Sequence, residues 1–281
     1  MTATGPSLPA TSAALGLLLG ATLPASAFEG QGAAGAPATD DHPATTVSAP
    51  TGPMAGSWSA QGGLQVVGAP LVRLQDDGEG LAEQCVVCTV VGLTAAGQVA
   101  LGDAFAIGLT VPTYPWVADG EGGAPALGDV VLWAPITLLR SEGGGVAVRP
   151  FVSLPTGPAA RFLGEGSLGG GALVTGGAGV GPVRVAGELG VDVADRDVLG
   201  AVVLQDGLGL WVDVAEGLSV GPELRGRIPL GGVPSAQELG LATRLTLGET
   251  LSLRAAGGRG LSDAPGAPAW RGQLSLAYRP T

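Results

Sequence analysis

Apolar and polar side chains alternate along most of the segment between Leu218 and Tyr278. One set of alternate positions is almost entirely Leu, Val and Ile, and the other set carries Ser, Thr, Glu and Arg. Because successive side chains of a β-strand point to opposite faces, the pattern predicts strands of a two-faced sheet. One face of that sheet is aliphatic and the other is charged.

Two architectures are compatible with such a sheet. A soluble sandwich buries its apolar faces in one core and leaves its polar faces in water. A transmembrane barrel has the opposite layout, with apolar residues facing lipid, polar residues facing the lumen and no free edges. The chain has no Lys to protect sheet edges, and its apolar set is small and aliphatic. We therefore predict an all-β fold, a transmembrane antiparallel up-and-down β-barrel.

The alternation divides the chain into about twelve strands. The barrel would then use about 18 residues for each strand and its connection, which suits membrane strands of ~9–11 residues. From the fourth strand onward, short connections alternate with long ones, as expected for short periplasmic turns and longer external loops. The predicted strands are 64–74, 84–94, 103–112, 128–140, 145–154, 170–176, 182–193, 207–215, 218–228, 237–247, 251–257 and 269–279.

The amino-terminal part of the chain has a different composition. The apolar run Ala13–Leu23 is followed by small residues ending at Ala27, which predicts a signal peptide at 1–27, although no Lys or Arg precedes the run. Residues 28–62 are rich in Ala, Gly, Pro and Thr and predict a disordered leader. The predicted barrel occupies 63–281. No apolar run reaches the ~20 residues of a membrane helix.

Charge excludes one class of partner and supplies a candidate site. The formal net charge is −11, and most of the excess acid lies in the connections, so no basic face exists to bind nucleic acid. Within the strands Arg and Asp or Glu are nearly balanced. The charged residues of the polar set are the predicted pore lining: Arg149, Arg184, Glu188, Asp192, Glu223, Arg225, Arg227, Glu238, Arg244, Arg254 and Arg271.

This lining leaves two functions open. The barrel is either a pore that passes small solutes through a charged lumen, or a structural or surface-interaction barrel whose interior is closed by ion pairs. Eight-stranded barrels are filled by side chains and sixteen-stranded barrels leave a channel. Twelve strands lie between these cases, and the sequence does not separate the two functions.

Enzymatic chemistry is not expected. The only histidine, His42, lies in the predicted leader, and without Lys there is no phosphate-binding loop of the P-loop type and no Schiff-base nucleophile. No metal site or cofactor is predicted. Cys85 and Cys88 have the spacing of a redox or metal pair, but on a regular strand they would point to opposite faces and not bridge; a turn would permit a disulfide.

Four tryptophans also give expectations. Trp116 and Trp270 stand at strand ends, where aromatic side chains meet the membrane interface. Trp133 and Trp211 are expected to point inward.

Several short motifs over residues 100–281 carry a resemblance. They are Leu127–Asp129, Ser153–Gly157, Phe162–Ser167 and Gly266–Arg271. In this order they resemble the barrel module of OmpA-like outer-membrane proteins of myxobacteria and, more loosely, transporter-type outer-membrane barrels. The resemblance implies a Gram-negative outer membrane as the location. It also implies contact with outer-membrane lipid and lipopolysaccharide, and insertion by the barrel assembly machinery.

Overall fold

The computed structural model describes residues 56–76, 81–119, 125–141, 143–158, 163–195, 201–232, 234–262, 264 and 267–280. The predicted signal peptide, 1–27, and most of the predicted leader, 28–62, lie outside these residues. Within the described part of the chain, no helix is long and apolar enough to cross a membrane. The strands are β1 Trp58–Asp76, β2 Leu81–Ala100, β3 Ala106–Asp119, β4 Ala126–Leu127, β5 Val130–Trp133, β6 Ile136–Ser141, β7 Gly144–Leu154, β8 Gly169–Val180, β9 Val183–Val193, β10 Val202–Ala215, β11 Leu218–Pro229, β12 Ala236–Leu247, β13 Leu251–Gly260 and β14 Trp270–Tyr278.

These strands form a closed antiparallel barrel of twelve wall positions. From β7 to β14 each strand pairs with the next along the chain, and β14 pairs with β1. β1 also pairs with β2, and β2 pairs with β3. The short strands β4, β5 and β6 together occupy the single position between β3 and β7. The predicted fold and strand number are therefore confirmed, although β1 begins at Trp58, ahead of the predicted barrel start at residue 63.

The fourth wall position is interrupted for local chemical reasons. The predicted strand 128–140 is broken at Gly128-Asp129 and at Ala134-Pro135. The carboxylate of Asp129 accepts hydrogen bonds from the backbone N–H groups of Gly157 and Glu165, both at 2.8 Å. Pro135 has no N–H to give to a neighbouring strand.

Along the strands, exposed apolar side chains alternate with buried polar ones, as expected for a membrane barrel. Leu189 and Leu241 on the outer face are 63% and 57% exposed, whereas Arg254 on the inner face is 2% exposed. The large apolar side chains thus face outward and many charged ones face inward. Such an arrangement is stable where the outer medium is hydrocarbon.

The two ends of the barrel differ in their connections. At one end, here called the short-turn end, β8–β9, β10–β11 and β12–β13 are joined by two or three residues. In each of these turns a glycine adopts a positive φ that other residues rarely adopt: Gly181 (57°), Gly217 (71°) and Gly248 (68°). The opposite end, the long-loop end, carries the longer connections.

Aromatic side chains mark the two boundaries of the apolar outer surface. Trp58 and Tyr278 lie together at the short-turn end, with ring centroids 5.5 Å apart. Trp116 and Trp270 lie toward the long-loop end and are nearly half exposed, as predicted. Trp270 and Tyr278 are eight residues apart on β14. At ~3.4 Å per residue and a tilt of ~40°, they span about 20 Å, close to the ~25 Å apolar band of such barrels.

β1 and β2 continue beyond the barrel rim. Pairing of β1 with β14 ends at Gly68, whereas its pairing with β2 continues to Asp76 through two register shifts. Cys88, one of the two cysteines, is disulfide-bonded. The expectation that a cysteine on this strand would not form a disulfide is therefore wrong. It assumed strict alternation of side chains, and the register of β2 with β3 shifts between Val87 and Thr89, where alternation is lost.

Candidate functional site

The barrel interior collects all eleven residues predicted from the polar set. Nine are buried: Arg149, Glu188, Asp192, Glu223, Arg227, Glu238, Arg244, Arg254 and Arg271. The other two keep partial exposure, with the side chain of Arg225 at 15% and that of Arg184 at 35%. They share one space because each lies on the inward-facing positions of its strand, and strands β7, β9 and β11–β14 all turn those positions toward the interior.

In the long-loop half of the interior, Glu238 lies between two arginines. Arg225 Nη2 is 3.3 Å from its carboxylate and Arg271 Nε is 3.1 Å from it. Arg271 also donates to Gln65 Oε1 on β1 at 3.3 Å. This chain of contacts joins β11, β12, β14 and β1 across the point where the barrel closes.

A second pair lies beside this network. Arg227 Nη2 is 3.4 Å from Asp192 Oδ2, and both side chains are buried. A small cavity of about 30 Å³ is bordered by Glu188, Gln205, Arg227 and Glu238 among other residues. A space of this size has room for water.

In the short-turn half the charges are arranged differently. Asp213 accepts hydrogen bonds from Arg184 Nη2 at 2.7 Å and from Ser219 Oγ at 2.6 Å. Arg244 on β12 lies directly opposite Arg254 on β13 in the sheet register. Asp213 was not among the predicted lining residues. The alternation around Trp211 would have identified it, because both occupy odd positions of β10.

An apolar layer separates these two halves on this side of the barrel. Trp211 is 1% exposed and packs with Ala186 and Ala242, with Ala256 partly buried against them. Gly221 lies beside the Trp211 backbone, and a larger residue there would clash with the carbonyl oxygen of Leu210. The prediction that Trp133 and Trp211 point inward agrees with their burial.

The interior of β1, β2, β3 and β5 is lined by uncharged groups. Trp133 Nε1 donates to Thr110 Oγ1 at 3.0 Å, and the indole packs in a cluster with Phe151 and Leu173. Nearer the long-loop end, Val67, Val90, Tyr114 and Val117 form another cluster. Ser59, Gln98 and Thr110 are buried there as well.

The connection between β7 and β8 folds against this uncharged wall. Leu163 is 1% exposed and packs in the cluster of Val67, Val90, Tyr114 and Val117. The connection is held by Asp129, as described above, and by Thr156 Oγ1, which donates to Gly128 O at 2.7 Å and accepts from Val130 N at 2.9 Å. Three of the motifs singled out in the sequence thus meet in one structural unit.

A larger cavity of about 950 Å³ borders β1, β2, β3, β5 and β7. Most of its lining residues are apolar and on the outward parity, for example Val99, Leu109, Leu132 and Val152. It therefore belongs to the outer, apolar surface and not to the charged interior.

No group of three or more metal-ligating side chains occurs among the described residues. The interior therefore offers arginine guanidinium groups, carboxylates, amides and hydroxyls as its reactive chemistry. These groups bind ions, water and polar solutes by hydrogen bonds and charge.

Comparison with known proteins gives structural likeness without sequence likeness. No family model and no curated protein matches the chain. Among solved structures, the COG4313 outer membrane channel from Pseudomonas putida F1 is similar, with a TM-score of 0.64 and 15% identity over 82% of this chain and 97% of that chain. The KdgM porin gives 0.49 and 10% identity over 78% of this chain and 98% of that chain.

At such low identity these likenesses bear on the fold alone. The resemblance to the barrel module of myxobacterial OmpA-like proteins is not confirmed by them. The chain itself indicates a membrane-spanning barrel, because it has a closed sheet, an apolar outer surface and aromatic side chains at both boundaries of that surface. The chain therefore has the fold of an outer-membrane β-barrel, and its place is the cell outer membrane.

Proposed function

We propose that the protein is a narrow channel that passes small polar solutes through its charged lumen. One observation carries the proposal: buried polar side-chain atoms inside the barrel that have no protein partner among the described residues. They include Ser59 Oγ, Gln98 Oε1 and both amide atoms of Gln205. Buried polar groups need hydrogen-bond partners, and water inside the barrel would supply them.

The ion pairs support an alternative, a structural barrel with a closed interior. The contacts Arg225–Glu238, Arg271–Glu238 and Arg227–Asp192 occupy one side of the long-loop half. Leu163 occupies the other side. If these groups fill the cross-section, no solute passes, and the barrel acts through its outer or loop surfaces.

Planar-bilayer recording separates the two functions. Purified protein should give steady ohmic current steps if the lumen is open, whereas absence of current in folded, inserted protein would contradict the channel. Insertion is checked independently by heat-modifiable mobility on gels.

Thiol labelling gives a second readout on one strand. Gln61 faces the interior of β1 and Leu64 faces outward at 40% exposure. In protein inserted in vesicles, Gln61→Cys should react with a water-soluble thiol reagent and Leu64→Cys should not. Protection of both would contradict a water-filled lumen.

Two expectations accompany the proposal. Outer-membrane lipid and lipopolysaccharide are the partners expected at the outward leucine surface, with barrel assembly machinery acting during insertion. A non-enzymatic role is also an expectation, since the only histidine, His42, lies in the predicted leader and not in the predicted barrel.

A further inference from the structure

We infer that the outer, lipid-facing surface carries a binding groove for one acyl chain of a phospholipid. The groove is the cavity of about 950 Å³ that β1, β2, β3, β5 and β7 border. Its volume lies at the upper end of the ~300–1,000 Å³ of small-molecule sites. The inference goes beyond the proposed function and is independent of it, because the groove lies outside the lumen.

Two features of the chain produce this recess in the wall. The outer wall of a barrel is convex, so a groove forms only where side-chain volume is missing or the wall bends. On β1 and β2 the outward residues Ala60, Ala95 and Gly97 are small, and Ala60 is the register partner of Gly97. Beyond β3 the wall is interrupted at Pro135, which has no N–H to give to a neighbouring strand, and Pro150 lines the groove there.

The groove has an apolar lining. Large apolar side chains, each nearly half exposed, frame it: Trp58, Val99, Ile107, Leu109 and Leu132. None of the described residues that line the groove is charged. Ser59 and Gln98 also border it, but their side chains are on the inward face and buried. The groove therefore offers van der Waals contact and no ionic partner, which suits a hydrocarbon ligand.

The length and position of the groove match one leaflet of the membrane. One register row crosses it: Ala60, Gly97, Leu109, Leu132 and Val152. Neighbouring strands lie ~4.8 Å apart, so this row is about 19 Å long. One leaflet contributes about 15 Å to the ~30 Å hydrocarbon core. Trp58 lines the groove and lies at the aromatic boundary of the short-turn end. A chain whose headgroup lies at that boundary can therefore follow the groove toward the middle of the membrane.

Packing favours an acyl chain as the occupant. Inside a membrane the outer surface gains no hydrophobic driving force over lipid, so van der Waals contact decides what binds. A chain in a groove touches protein on several sides, whereas a chain on a convex wall touches it on one side. The convex wall of a second copy would rest on the large framing residues without reaching Ala60 and Gly97. Short turns of outer-membrane barrels face the periplasmic leaflet, which consists of phospholipid, and this identifies the lipid.

Native mass spectrometry of the folded protein in a neutral detergent tests the groove, with palmitoyl-oleoyl phosphatidylethanolamine as the probe. Wild type should retain one phospholipid at low lipid concentration. Ala95→Phe fills the recess from β2 and should raise the lipid concentration for half occupancy about fivefold or more, because the chain loses its contacts. Ala60→Phe should do the same from β1. Ala255→Phe is the matched control, since Ala255 is outward on β13 and does not line the groove; its half-occupancy concentration should stay at the wild-type value.

Equal half-occupancy concentrations in wild type and in both filled variants would overturn the inference, as would a folded wild type that retains no phospholipid. Protein dimers that disappear in Ala95→Phe would overturn it too, because a second copy would then occupy the groove. Folding of each variant is checked by heat-modifiable mobility. If Ala95→Phe does not fold, Ala60→Phe and the wild-type titration decide.

The two proposals fail separately. A protein that retains phospholipid in the groove but is silent in planar bilayers would contradict the channel alone. A conducting protein that retains no phospholipid would contradict the groove alone.

Discussion

Two walls of the same lumen differ in chemistry. The charged wall is the inward face of β9–β14, with Glu238 between Arg225 and Arg271 as its central contact. The uncharged wall is the inward face of β1, β2, β3 and β5, where Thr110, Trp133 and Tyr114 are buried. Both walls are equally shielded from lipid by outward apolar residues. The uncharged wall therefore indicates that a barrel wall can form without charged residues on its inward face. The charges of the other wall can then serve to bind or select solutes.

The walls also differ in how they fill space. On the charged wall, the indole of Trp211 lies over Gly209, where a larger residue would clash with it. On the uncharged wall, aromatic and aliphatic side chains pack with Leu163 from a loop. The uncharged wall thus resembles a small hydrophobic core, whereas the charged wall contains ion pairs.

The largest expected effect tests whether the uncharged wall is correctly divided into outer and inner faces. Leu64 pairs with both Leu93 and Leu274, and these three outward leucines lie midway between the aromatic boundaries. Leu93→Arg should destabilise the protein by about 2–4 kcal/mol, because its charge enters the middle of the hydrocarbon. Its neighbour Thr94 faces inward, so Thr94→Arg should cost much less. Urea unfolding from phospholipid vesicles measures both, and equal costs would contradict the division.

The next effect tests whether the charged wall needs its carboxylates. Glu238→Gln leaves Arg225 and Arg271 without their shared anionic partner and should cost about 2 kcal/mol, the usual range for hydrogen bonds to charged groups. The same urea experiment measures it. Gln98→Met, a similar-sized change at a buried position of the uncharged wall, removes no charge and should cost about 1 kcal/mol or less. A larger loss for Gln98→Met than for Glu238→Gln would reverse the comparison of the walls.

A smaller effect concerns the single hydrogen bond between Thr110 and Trp133. Thr110→Val removes the acceptor and Trp133→Phe removes the donor. A double-mutant cycle should give a coupling of about 1 kcal/mol, because this is a neutral buried hydrogen bond. A coupling near zero would mean that packing with Phe151 and Leu173, not the hydrogen bond, holds the indole.

Strand positions on the charged wall were predictable because its polar set is charged and its apolar set is leucine and valine. The predicted 182–193 and 218–228 differ by one residue from β9 and β11. The uncharged wall was predicted less well, since the first strand was predicted at 64–74 and β1 spans Trp58–Asp76. Its inward Ser59 and Gln61 lie among outward Ala and Gly, so the contrast between its two faces is small.

The residues of the interior site were predictable where the two faces of a strand differ clearly in polarity. Charged residues on the inward parity were identified, because alternation alone assigns them to a face. Asp213 and Gln205 were missed, the latter because it precedes the predicted start of β10 at residue 207. The packing of Leu163 into the barrel was also missed. It depends on Asp129 contacts with distant residues, which leave no periodic signal in the sequence.

The smallest expected effect asks whether the charge of one wall reaches the ions that pass. Arg225 keeps more exposure than Glu238 and Arg271, its neighbours in the long-loop network. In the proposed channel its charge would therefore face the water of the lumen. A unit charge about 10 Å from an ion in water changes the energy of that ion by ~0.4 kcal/mol, or about twofold in the permeability of that ion. Because anions and cations respond in opposite directions, Arg225→Ala should lower the anion-to-cation permeability ratio about fourfold, measured from the reversal potential across a potassium chloride gradient. Gln98→Met on the opposite wall should leave the ratio unchanged, since it alters no charge. Equal shifts for both variants would mean that ions respond to the width of the lumen and not to the charge of one wall.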